Sequence, residues 1–140
     1  MVRISSPFGW RTHPISGERK FHNGVDFALP MGSPLRAAAA GTVLRTYLNH
    51  PTNGSGVVVR HGGGWESTYL HLSRVDVVPG QQLAAGQQLG LSGGAPGTWG
   101  AGTSTGPHLH FILRRDGEPV DPVPLLTNLA AVAAFGGTCL

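Results

Sequence analysis

Two short strings carry the chemistry of this 140-residue chain, His22-Asn-Gly-Val-Asp26 and His108-Leu-His110. Neutral imidazoles and a carboxylate are donors that suit Zn²⁺, and a catalytic zinc takes three protein ligands and leaves its fourth position to water. The four candidate donors therefore supply three ligands and one spare imidazole, which is the pattern of metal-assisted hydrolysis. His71, in Tyr69-Leu-His71-Leu, is a fifth candidate. Singly, each piece also has a structural reading, because a His four residues from an Asp, a His-x-His string or a strand histidine is common without a metal. Together, in one small domain, they point to a site. His13 and His50 each precede a proline and belong to turns, while His61 ends an apolar run beside three glycines, so none of these is a candidate.

The elements that must position these side chains read as β. Residues 41–48, 56–61 and 65–71 are short runs rich in β-branched and aromatic residues, bounded by Gly, Asn or Pro, and are expected to form three strands of one sheet. The Gly62-Gly63-Gly64 link is short enough for a hairpin, which makes the second and third strands antiparallel. A fourth strand over residues 107–115 leads through Asp116-Gly117, a hairpin signal, into a strand end at residues 118–120. Alternation along the fourth strand puts His108 and His110 on one face and Leu109 on the other. His22 and Asp26 would lie about 13 Å apart in an extended chain rising ~3.3 Å per residue, so the chain must bend at Asn23-Gly24. Gly24 is expected to supply that bend and to leave room beside the metal. Gly80-Gln-Gln-Leu recurs as Gly86-Gln-Gln-Leu, and two copies read as two turns, not as a solenoid. The glycine-rich stretch 93–106 lacks the Gly-Lys-Ser/Thr ending of a phosphate cradle and reads as a connecting or substrate-lining loop.

Length and composition bound the rest. The chain fits one domain, expected over residues 1–122, followed by an uncharged segment over 123–140 that carries a short packed helix near residues 125–135. Its 22 Gly and 11 Pro fall as punctuation between apolar runs. The net charge of +3 favours an anionic partner, but the basic residues never cluster beyond Arg114-Arg115, so no nucleic-acid-binding stripe is expected. Pro124, Asn128 and Gly136-Gly137 interrupt the C-terminal segment, so no membrane span is expected. Cys139 is the only cysteine, which excludes an intramolecular disulfide, and it reads as a bystander. The opening residues lack the apolar stretch of a secretory signal, so export is not encoded in them, and a monomer is expected.

The ordered strings Ser6-Pro-Phe-Gly-Trp-Arg11, His22-Asn-Gly-Val-Asp26-Phe-Ala, Tyr69-Leu-His71-Leu and Ser104-Thr-Gly-Pro-His108-Leu-His110-Phe closely resemble the lysostaphin-type (LytM-like) zinc metallopeptidases that cut peptidoglycan. Pro30-Met-Gly-Ser-Pro34, Ala39-Ala-Gly-Thr-Val43 and the paired glycine turns of residues 80–90 extend the likeness, which spans residues 5–122. The resemblance implies a mainly β fold, an antiparallel sheet with a groove walled by loops. It implies one Zn²⁺ per chain held by His22, Asp26 and His110, with His71 and His108 as catalytic histidines. An active enzyme is expected because none of these five positions is missing. Two departures stand out. Ile112-Leu113 occupies the place where an acidic residue often follows His-Leu-His-Phe, and no propeptide is expected ahead of the domain to block the zinc.

Zinc lowers the pKa of its water and polarises a carbonyl. The chain has no His-Glu-x-x-His, so no motif glutamate is available as base and a histidine must move the proton. His71 and His108 are the candidates, with their roles undivided. The resemblance implies peptide stems of bacterial peptidoglycan as substrate, cut outside the cytoplasm in the wall or periplasm. The opening string favours the bond between D-Ala and the diamino acid of direct cross-links, with a glycine bridge as the alternative. A phage-encoded lysin or tail-associated enzyme fits as well as a bacterial one. Two rivals remain: a zinc-bound activator or structural module without turnover, and a cupin-like metal protein. The cupin pattern expects a glutamate four or five residues after the second histidine, where this chain has Arg114 and Arg115.

Overall fold

A computed structural model of the chain describes residues 3–12 and 15–126. Among them are β1 (Arg3–Ser6), β2 (Gly9–Thr12), β3 (Arg19–His22), β4 (Val25–Ala28), β5 (Pro34–Arg36), β6 (Gly41–His50), β7 (Gly54–Gly62), β8 (Trp65–Leu70), β9 (Leu72–Val75), β10 (Gln82–Leu83), β11 (Gln88–Ser92), β12 (Leu109–Arg115) and β13 (Glu118–Val120), then one helical turn, α1 (Val123–Leu126). The fold is mainly β, as expected. All of the expected C-terminal helix but its first two residues, together with Cys139 and His13, lies outside the described residues.

An eight-stranded antiparallel sheet runs in the order β1-β4-β12-β8-β7-β6-β10, with β13 paired to β12. A three-stranded sheet, β5-β11-β9, packs on one face of it, and the β2–β3 hairpin stands apart as a two-stranded ribbon. Strand alternation divides the large sheet cleanly. Val25 and Phe27 on β4, Leu109, Phe111 and Leu113 on β12, Tyr69 on β8 and Val57 and Val59 on β7 face the small sheet and join Leu35, Leu72 and Leu89 in one apolar core. Each such side chain contributes about 1.5–3 kcal/mol on burial, and a one-residue slip would turn the whole set to the other face, so the core holds the register. The opposite face carries Asp26, His110, Ile112 and Arg114, with Glu66, Thr68 and Leu70 beside them on β8.

The three expected strands are β6, β7 and β8, and the expected hairpins close through Gly63-Gly64 and Asp116-Gly117. Both residues of each loop take positive φ (60° and 83°, 50° and 83°), the conformation of two-residue turns that match strand twist. The Gly-Gln-Gln-Leu repeat does form two equivalent turns. The Gln81 and Gln87 side chains accept from the amides of Val78 and Ala84 at 3.2 and 3.0 Å. Each turn then clasps one residue of a neighbouring segment in both directions, Val43 through Gly80 and Gln81, Ala37 through Gly86 and Gln87.

Two expectations need correction. The third strand does not run through His71: β8 stops at Leu70, and His71 sits at φ 66° between β8 and β9. The chain leaves the large sheet at that residue and enters the small one. Gly24 does not make room for a metal. A Cβ there would come within 2.3 Å of the Phe111 carbonyl oxygen and 3.0 Å of Ile112 Cγ1, so its missing side chain lets the β3–β4 corner press against the β12 backbone. Gly24→Ala is expected to cost about 1–3 kcal/mol by overpacking. Gly106→Ala, with nothing within 4 Å of the added Cβ, should be neutral. Denaturant titration of both variants checks this, and equal stability would refute the role given to Gly24.

Candidate metal centre

The β4–β12 ladder sets Asp26 directly across from His110. His22, the last residue of β3, reaches the same point because Asn23-Gly24 turns the chain straight into β4. His22 Nε2, Asp26 Oδ1 and His110 Nδ1 converge there, separated by 3.4 Å (His22 to Asp26), 3.3 Å (His22 to His110) and 2.7 Å (Asp26 to His110). Donors ~2 Å from one tetrahedral ion lie about 3.3 Å from each other, so two separations already have metal-site values. The third is a hydrogen-bond length, held by a proton that a cation would displace. Two imidazoles and one carboxylate are the donor set of a catalytic zinc site, and the residues fit the metal.

Outer partners fix which nitrogen of each ring faces inward. His22 Nδ1 donates to the Pro7 carbonyl at 2.8 Å, leaving Nε2 as the inward atom. His110 Nε2 lies 3.2 Å from Asn23 Oδ1, an acceptor for its N–H once a cation takes the place of the proton between Nδ1 and Asp26. Burial works against the Asp26 carboxylate, but hydrogen bonds from His110 and His22 outweigh it and hold the group well below the usual carboxylate range. The site therefore keeps its negative ligand ionised.

Two more imidazoles stand beside this cluster. His108, in an isolated bridge with Gly93 one residue before β12, points to the same side as His110, and its Nε2 lies 3.7 Å from Asp26 Oδ1. Its Nδ1 donates to the Gly106 carbonyl at 2.8 Å and lies 3.1 Å from Ser104 Oγ, whose single O–H has the carbonyls of Gly94 and Gly106 within 2.8 Å as acceptors. His71 Nδ1 donates to the Ala101 carbonyl at 2.8 Å, and its amide donates to Asn53. These bonds offset the roughly 1–2 kcal/mol cost of a left-handed residue. The His71 and His108 ring centroids are 5.0 Å apart. Burial first, then the neighbouring His108, push the His71 imidazole down to about 4 from 6.5, so it is neutral near pH 7 with a free Nε2.

The five expected site residues thus come together, with Asp26, His71, His108 and His110 lining a groove on the open face of the large sheet and His22 buried behind them. His50 and His61 stay outside the cluster: His50 accepts the amides of Thr52 and Asn53 in a turn, and His61 bridges Ala40 and Ser67. The sequence reading missed the outer partners. Three are backbone carbonyls, of Pro7, Ala101 and Gly106, to which no residue type is a guide. Asn23 reads from the sequence only as a turn residue, and Ser104 only as part of a motif.

Peptidase family M23 matches residues 20–122. The peptidoglycan DD-endopeptidase ShyA of Vibrio cholerae is 44% identical over 120 residues, 85% of this chain and 26% of the relative. The chain thus spans about a quarter of the length of the curated relatives it matches. Among solved structures, a zinc-containing peptidase from Vibrio cholerae aligns with TM-score 0.75 and 38% identity over 85% of this chain and 35% of that one. LytU aligns with TM-score 0.80 and 30% identity over 96% of this chain and 92% of its own. With its fold, its His-Asp-His cluster and these likenesses in agreement, the chain belongs to peptidase family M23.

Proposed function

We propose that the chain, acting through a peptidase unit over residues 1–122, is a zinc-dependent endopeptidase that hydrolyses peptide cross-links of bacterial peptidoglycan outside the cytoplasm. The observation that carries this is the meeting of His22, Asp26 and His110 at one point with two further imidazoles beside them. The bond is the one between D-Ala and the diamino acid, a reading supported by the relatives named DD-endopeptidases at 38–44% identity.

One Zn²⁺ per chain, held by His22, Asp26 and His110, would supply Lewis acidity to the scissile carbonyl and acidify a water. The remaining steps belong to the histidines. His71, neutral and anchored through Nδ1 to Ala101, offers Nε2 as the acceptor of the water's proton. A base of such low pKa holds that proton only briefly. His108, anchored through Nδ1 to Gly106 and 5.0 Å from His71 between ring centroids, is placed to stabilise the developing oxyanion or to help return the proton to the leaving amine.

Elemental analysis should find about one zinc per chain, lost in His110→Ala. His71→Ala and His108→Ala should keep the metal and lose turnover by roughly 10²–10⁴-fold. A zinc content that falls in either of these two variants would mean that a ligand has been misplaced.

Digests of directly cross-linked and glycine-bridged sacculi, read by mass spectrometry, should show chelator-sensitive release only from the first. Release only from the second would replace the bond assignment, and release from neither would leave a zinc-bound module without turnover.

His71 also sets a pH dependence. Unfolded, it takes its proton near 6.5, whereas folded it resists protonation down to about 4. The unfolded state gains protons first as pH falls, so metal-free protein should lose stability progressively from about pH 6.5 to pH 4. Asp26, depressed in the folded state, adds its loss only lower, as pH falls through its unfolded value of 3.8. Denaturant midpoints across this range should slope less steeply in His71→Gln, and an unchanged slope would contradict the assignment.

A further inference from the structure

The groove does not end at the metal cluster. The cross-strand partners on the open face form successive rows: His110 opposite Leu70, Ile112 opposite Thr68, and Arg114 opposite Glu66. Thr68 in turn pairs with Val58, and Val58 with Arg45 on β6. The second row is a floor. Ile112, Thr68 and Val58 are all more than nine-tenths buried, although they lie on the face away from the core. Exposed Arg45 closes this row on β6, and in the next row the groove becomes charged, with Arg114 and Glu66 half-buried.

These charges are unspent. Among the described residues, no hydrogen bond or ion pair engages the side chains of Arg45, Glu66 or Arg114, although a direct cross-strand position would suit a pairing of Arg114 with Glu66. The neighbouring Arg115 behaves differently and lies over the Trp65 ring at 5.3 Å. Thr68 in the floor is 4% exposed, and its Oγ1 is buried without a hydrogen-bond partner among the described residues. A buried hydroxyl without a partner is costly, and such groups are uncommon in folded proteins.

Two guanidinium groups at the rim of a groove, neither paired with a carboxylate among the described residues, are suited to a carboxylate. We propose that the metal-distal end of the groove is a carboxylate subsite, in which Arg45 and Arg114 bind an acidic group of the peptide substrate and Glu66 disfavours a doubly charged one. The subsite rests on the endopeptidase reading and deepens it. His110 and Arg114 are four residues apart on one strand, about 13 Å at ~3.3 Å per residue, and an arginine side chain covers part of that span. The acidic group therefore belongs two to four residues from the scissile bond of an extended substrate. A cross-linked stem that keeps a free carboxylate at that distance meets the requirement, whereas a bridge built of glycine alone has no acidic side group to offer. Preference for direct cross-links then has a physical source away from the metal.

Two synthetic cross-linked stem peptides, alike except that the side carboxylates are free in one and converted to carboxamides in the other, test this with zinc-loaded protein. The acid form should be cleaved with kcat/KM higher by about 10-fold or more, mostly through KM, and R45Q/R114Q should bring the ratio close to one. Single stem peptides, which contain no cross-link to cut, separate the two readings. If neither cross-linked peptide is cleaved but the acid single stem binds more tightly than its amide and R45Q/R114Q removes the difference, the endopeptidase reading fails and the subsite stands. Equal handling of acid and amide by the unsubstituted protein, or a ratio unchanged in the variant, overturns the subsite.

Discussion

Three potential metal donors are held within 3.4 Å of one another, two of them joined by a hydrogen bond whose proton a cation would replace, and this crowding organises the molecule. The pairing of β4 with β12 imposes it, because the register that buries Val25, Phe27, Leu109 and Phe111 also sets Asp26 against His110. Core packing thus contributes the free energy that crowds the donors, and the metal site is the other face of the same ladder. Gly24 belongs to this constraint: by letting the β3–β4 corner rest on the Phe111 carbonyl, it brings His22 to the pair from a third direction.

A similar economy holds for the imidazoles beside the cluster. His71 leaves the large sheet in a left-handed conformation, at a cost met by the bonds to Asn53 and Ala101, and the departure turns its ring toward His108 instead of along a strand. Keeping His71 neutral and Asp26 ionised are complementary effects. Burial removes water from both, but Asp26 has hydrogen-bond donors to offset the loss, while His71 faces other imidazoles and sheds its proton.

Much of this was legible in the sequence, for identifiable reasons. β6, β7, β8 and β12 are dense in β-branched and aromatic residues, so their existence, and by period-two alternation the face shared by His108 and His110, followed from the sequence, while their ends differ by one to two residues. The short strands β1 to β5 and β9 to β11 carry too few residues for a period to show, and it is long-range pairing that makes them strands. The left-handed His71 was hidden for a related reason. Tyr69, Leu70 and Leu72 are all apolar and all buried, because Leu72 has passed into the second sheet, so the run looks like one continuous strand. The task of Gly24 was misread because a glycine needed for close approach looks, in a string of letters, the same as one needed for a bend.

The outer partners were the least legible part of the site, and they separate a metal-binding motif from a working arrangement. A motif names side chains, but an imidazole has two nitrogens, and the choice between them is made by whatever the far nitrogen touches. Here Pro7, Ala101 and Gly106 make that choice with carbonyl groups from two loops, the β1–β2 and the β11–β12 connections, and Asn23 makes it with a side chain. No acidic residue follows the His-Leu-His-Phe string, so orientation does not depend on a further carboxylate. This matters electrostatically, since an added buried negative charge would raise the basicity of both His71 and His108. Neutral carbonyl anchors fix the rings without adding charge, which keeps His71 a weak base that can take a proton and give it back.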